Sequence, residues 1–146
     1  DNRPAFLESR KAAAALGATY EWNKLEGVTN TNGTVYVPIS EITESMVKDW
    51  GHVNWASGQK DTADQGDIAL DKEACGAVYR GTMSSDYNLT RLEPAVVGKT
   101  TDGKKRCDDG GIAHPDNILG LSNGSLIIAE DAGKSAHPVD MLWLIK

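Results

Sequence analysis

The stretch His114–Asp131, HPDNILGLSNGSLIIAED, decides how this chain is read. An acid beside an amide, Asp116–Asn117, leads into a short apolar run, an Asn-Gly turn at Asn123–Gly124, and a second apolar run ending in two acids. The stretch Leu25–Glu41, LEGVTNTNGTVYVPISE, has the same plan: an acid (Glu26), a short run, an Asn-Gly turn at Asn32–Gly33 and an alternating strand. Asn-Gly between apolar runs favours a type I′ hairpin, because both central residues need positive φ. Glu26 and Asp116 stand 90 residues apart. Recurrence of one supersecondary unit favours the blades of a propeller over a plain sandwich.

Working outward, CGAVYRGTM and YNLTRLEPAVVG read as another strand pair, and DMLWLIK as a last strand. PAFLESRKAAAALGA is the one good helix signal, rich in alanine, with Pro4 at a first-turn position and Gly17 as a C-cap. The expected fold is therefore mainly β, with antiparallel hairpins over about 22–42, 75–97 and 115–130, a last strand at 140–146 and one short N-terminal helix over about 5–16. This makes a single partial propeller domain over 1–146, one to two blades. Propellers close with about four blades or more, so the missing blades or another protein subunit are the expected partners. The chain opens on DNRPAFLE and stops on MLWLIK inside an expected strand, so both ends read as cut. The polar stretch Thr43–Lys72, with Trp50 and Trp55 as possible anchors, is long for a loop, and such loops often cover a site.

A net charge of −6 over 146 residues argues against a nucleic-acid partner. The densest basic cluster, Lys99 with Lys104, Lys105 and Arg106, is followed at once by Asp108 and Asp109, as in a solvated loop. No apolar run approaches the ~20 residues of a membrane span. Cys75 and Cys107 read as a disulfide, as two free thiols, or as unrelated metal ligands; their spacing makes no zinc motif. Paired, they would be worth roughly 3–4 kcal/mol and imply an oxidising compartment. Asn-x-Ser/Thr matches at Asn32 and Asn123 are explained by the hairpin turns, leaving Asn88. No Gly-rich phosphate loop, Ser-His-Asp order or His-Glu-x-x-His occurs, and His52, His114 and His137 do not cluster in sequence.

The start of a propeller's innermost strand points into the central channel, and carboxylate and amide oxygens there suit hard cations, calcium above all. Glu26 and Asp116–Asn117 are candidate metal corners on this ground. The plainer alternative is an Asx-turn at Asp116–Asn117 and a surface acid at Glu26.

The ordered set ALGATYEWNKLEGVTNTNGTVYVPISE, GDIALDKEACGAVYR, YNLTRLEPAVVG, HPDNILGLSNGSLIIAEDAG and DMLWLIK resembles the last part of the PhoX-type alkaline phosphatases, from about Arg10 to the end. The resemblance implies a secreted six-bladed propeller with iron and calcium in its channel that hydrolyses phosphomonoesters. It implies that Glu26 and Asp116 are metal ligands and that Asn117 touches metal-bound phosphate. Lys24 stands where the family has an arginine, and lysine offers a point charge in place of a two-pronged donor. AGKSAHPVD matches its loop loosely, so His137 and Asp140 are expected no nearer the metal than behind its ligands. The family's remaining ligands, including a cysteine on iron that neither Cys75 nor Cys107 matches, belong to blades outside this sequence. The first functional expectation is therefore the C-terminal portion of a PhoX-like phosphomonoesterase, inactive alone. The alternative is a non-catalytic, PhoX-derived structural or calcium-binding subunit of a larger extracytoplasmic or organelle-lumen assembly.

Overall fold

The computed structural model describes residues 6–19, 21–48, 66–101 and 106–146; Pro4, Trp50, His52 and Trp55 lie outside them. Among the described residues the chain is mainly β, in two antiparallel sheets with no closed barrel. A first sheet holds β1 (Thr29–Thr31), β2 (Thr34–Ile39), β3 (Ala77–Thr82) and β4 (Glu93–Val97) in sequence order. A second holds β5 (Pro115–Gly120), β6 (Leu126–Glu130) and β7 (Leu142–Ile145), also in sequence order. Each is thus a simple meander of sequential antiparallel neighbours, with tight turns at β1–β2 and β5–β6 and longer connections elsewhere.

The three hairpins and the last strand fall inside the ranges expected from sequence. Two elements differ. Helix α1 (Ser9–Ala15) is shorter than the expected 5–16, and the apolar residues around it, Phe6, Leu7 and Leu16, are exposed rather than set against the sheets. Helix formation there rests on alanine propensity and not on burial. A second one-turn helix, α2 (Gly133–Ala136), was unexpected, because Gly133 and Ser135 give no helical signal; it carries Ala136 into the interior.

Period-two alternation sorts the strands into faces. On β2 and β3 of the first sheet, Ile39, Ala77 and Tyr79 point one way and pack with Ile42 and Met46, with Trp22, Val47, Ile68 and Leu70 closing over them. The opposite face of that sheet gives Tyr36, Val78 and Val96 to a second cluster. There they meet Ile118, Leu126, Ile128, Trp143 and Ile145 from one face of the second sheet. The two sheets therefore pack face to face, with β5 lying across β1 and β2.

Cys75, just before β3, and Cys107, ahead of β5, form a disulfide. It sits in a third, small-residue cluster with Ala113, Ala132 and Ala136, and Cys107 N donates to Ala136 O at 3.1 Å. Among the described residues no helix is long and apolar enough to cross a membrane.

Candidate functional site

The two stretches that look alike in sequence also fold alike, and the structure sets them side by side. Lys24 and His114, each two residues ahead of a candidate acid, both have positive φ, 56° and 44°. A side-chain-bearing residue pays roughly 1 kcal/mol or more for that conformation, and such strain gathers at functional sites. Each first strand then carries one extra residue. Pro115 pairs with Glu130 and Ile118 with Ile128, so a bulge falls at Asp116–Asn117 opposite Ala129. Leu25 bridges Ile39 while Thr29 pairs with Tyr36, leaving one residue more on the first strand there too. Bulges bend a strand and re-aim its side chains, often next to a site.

The hairpins that follow differ slightly. Asn32 and Gly33 both have positive φ, as a type I′ turn requires. In the β5–β6 loop only Gly124 does, and Leu121 N donates to Ser125 O at 2.8 Å, giving the longer turn that ends in a left-handed glycine.

The repeats touch along their lengths. Gly27 approaches β5 so closely that a Cβ built on it would lie 3.0 Å from Asp116 O and 3.6 Å from the Pro38 ring. Further along, Gly120 N donates to Thr29 Oγ1 at 2.9 Å, and Thr31 Oγ1 donates to Leu121 O at 2.7 Å. Glu26, Asp116 and Asn117 therefore share one end of the paired first strands. Glu26 and Asn117 are exposed there, and Asp116 is half-buried. Lys24 is exposed at the same end, its carbonyl accepting from Ser40 N at 3.0 Å. Two residues that sequence reading passed over join them: His114 Nε2 lies 3.9 Å from Glu41 Oε1. The available signal was that His114 directly precedes the Pro115-Asp116 pair and Glu41 closes the first repeat.

Behind this mouth stands a buried charged clasp. Glu130, opposite Pro115 in the β5–β6 register, has a fully buried carboxylate. It accepts from Ala113 N at 2.8 Å, Met141 N at 3.1 Å and Trp143 Nε1 at 2.6 Å. It also holds His137 Nδ1 at 2.9 Å, while His137 Nε2 lies 3.1 Å from Asp108 O. Both ring nitrogens face acceptors, an arrangement that favours the doubly protonated imidazolium over either neutral tautomer. Burial works against that charge, but the Glu130 carboxylate, the Asp108 carbonyl and nearby Asp109 outweigh it and raise the His137 pKa above its ordinary value. His137 thus sits behind the mouth as a structural partner of Glu130, and Asp140 accepts from Ala132 N at 2.8 Å. A second buried carboxylate, Glu21, accepts three successive backbone N–H groups, from Gly66, Asp67 and Ile68, at 2.5–3.1 Å.

The two candidate acids do not amount to a metal centre on their own. Among the described residues no three His, Cys, Asp or Glu side chains gather closely enough to hold an ion. Both cysteines are in the disulfide and have no thiolate to offer. Two carboxylates and an amide fit part of an oxygen-rich calcium shell, which takes about six to eight oxygens, and do not fit an iron site. Across the whole sequence, the chain matches no family model, no curated protein and no solved structure.

Proposed function

We propose that this chain forms two neighbouring blades of a PhoX-like propeller. Glu26 and Asp116 supply two corners of its central metal cluster, Asn117 faces the substrate phosphate, and further blades complete a phosphomonoesterase. The observation that carries this reading is the approach of Gly27 to Asp116, which brings two acids 90 residues apart to one end of adjoining first strands. Matching positive φ at Lys24 and His114 and matching extra residues in the first strands support the equivalence of the two units.

The blade assignment has a second support. The outward face of the second sheet shows Leu119, Leu142 and Leu144, each more than half exposed, beside Ile127. A face of that composition is what a following blade would cover. The remaining ligands for calcium and iron come from those blades, in the same or another polypeptide, and the compartment is extracytoplasmic, in keeping with the disulfide.

A second reading keeps the fold and drops the catalysis, as a structural or calcium-binding subunit. Lysine at position 24 favours it, since an exposed ammonium cannot grip phosphate two-pronged. Metal content and monoester hydrolysis of the native, uncleaved protein, before and after chelation, separate the two. Iron and calcium with chelator-sensitive hydrolysis, both lost in Glu26→Gln/Asp116→Asn, are expected for the enzyme. Folded protein with no iron and no hydrolysis sinks the enzyme reading.

A further inference from the structure

The first sheet has a second polar feature, at the end of β2 away from Lys24 and Glu26. A cleft of ≈ 400 Å³ opens there, lined by Thr34, Tyr36, Arg80, Thr82, Arg91 and Glu93 among others. Apart from Arg91, which lies two residues ahead of β4, these residues come from paired positions on one face, Thr34 opposite Thr82, Tyr36 opposite Arg80, and Arg80 opposite Glu93. On the same face the sheet-to-sheet core ends near Tyr36, so the cleft begins where the second sheet stops covering the first.

Its charge is unbalanced. Arg80 approaches Glu93 Oε1 with Nε and Nη2, both at 3.1 Å. Arg91 reaches the other oxygen of the same carboxylate, Nη2 to Oε2 at 3.6 Å. One arginine is enough to neutralise Glu93. The second leaves a unit of positive charge in the cleft, and two guanidiniums held on one acid repel each other. Neither has another partner among the described residues, so most of their N–H donors remain unused. The hydroxyls of Thr34, Thr82 and Tyr36 add neutral donors beside them. This occurs in a chain whose net charge is −6, where a local positive site is not a by-product of composition.

We propose that this cleft binds a tetrahedral oxyanion, phosphate or sulfate, carried on a compact organic group. Paired guanidiniums match tetrahedral oxyanions with parallel N–H donors. A volume in the range of small-ligand pockets leaves room beyond the anion for an organic group against the Tyr36 ring and the threonines. The site lies several residues along β2 from the acid mouth, so it does not depend on the metal cluster or on the phosphatase reading.

Calorimetric titration of the intact chain with inorganic phosphate, sulfate and phenyl phosphate, in the presence of chelator, tests it. Chelator keeps any metal-borne phosphate at the acid mouth out of the measurement. Saturable binding is expected for at least one oxyanion, tighter for the organic ester, and weaker by about tenfold in Arg91→Gln. Arg91 is mostly exposed, so that variant folds, and circular dichroism verifies it. Glu93→Gln removes the internal competitor and is expected to tighten binding. No saturable binding at ~10 mM of all three probes overturns the proposal, as does binding unchanged in Arg91→Gln or weakened in Glu93→Gln.

Discussion

The two sheets are built alike and finished differently. The first has four strands and is covered on both faces, by the second sheet on one side and by Trp22, Met46 and Leu70 on the other. The second has three strands and is covered on one face only, with Leu119, Leu142 and Leu144 in the open. In compensation it carries the buried Glu130–His137 clasp, and the disulfide ties its entry to that of β3 in the first sheet. A sheet without an apolar layer on both sides leans on directional bonds and a cross-link.

The sharpest way to break that comparison is Glu130→Ala. It leaves His137 Nδ1 and the N–H groups of Ala113, Met141 and Trp143 without their acceptor. A loss of about 3–5 kcal/mol is expected, read from urea unfolding followed by Trp fluorescence. Reducing the disulfide comes next, at roughly 3–4 kcal/mol for its 32-residue separation, read as a shift in the thermal midpoint with and without reductant. Ile128→Ala empties a fully buried site between the sheets and is expected to cost about 2–4 kcal/mol in the same urea assay.

The clasp also has a pH signature. Because the folded state raises the His137 pKa, its stabilisation is complete below the ordinary histidine value of about 6.5 and fades as pH rises through the higher folded value. The urea midpoint should fall on the alkaline side in the parent protein, and His137→Gln should flatten that fall. The smallest effect is expected on the outward face. Leu144→Ser should change the stability of this chain by no more than about 0.5 kcal/mol, since nothing described covers that side chain. A large loss there would show that the second sheet is already covered on both faces, as the first is.

Much of the first sheet was legible in sequence. TVYVPI is rich in β-branched and aromatic residues, and Asn32–Gly33 sets its register with a turn that few other dipeptides make. The recurrence of acid and hairpin was equally plain. What could not be read was how the acids are delivered. An extra residue in a strand leaves no mark on composition, so the bulge at Asp116–Asn117 went unseen. Positive φ at Lys24 and His114 gave no sign in the sequence, where a glycine would have marked it. His137 read as a residue no nearer the metal than behind its ligands. Its partner Glu130 was visible only as the acid closing an apolar run, although period two already set it on the face of Ile128. Glu21 was equally silent, because its three donors come from a segment 45 or more residues away.

The disulfide has a consequence for the chain's survival as one piece. It brackets β3 and β4 and joins the entry to the first sheet's outer hairpin to the entry of the second sheet. A protease cutting once anywhere between Cys75 and Cys107 therefore produces two polypeptides that still travel as a single particle. On a gel, such nicked protein keeps its full size until reductant is added and then falls into two bands. A cut ahead of Cys75 has no such safeguard, and the hairpin of β1 and β2 would be held to the rest by packing and hydrogen bonds alone.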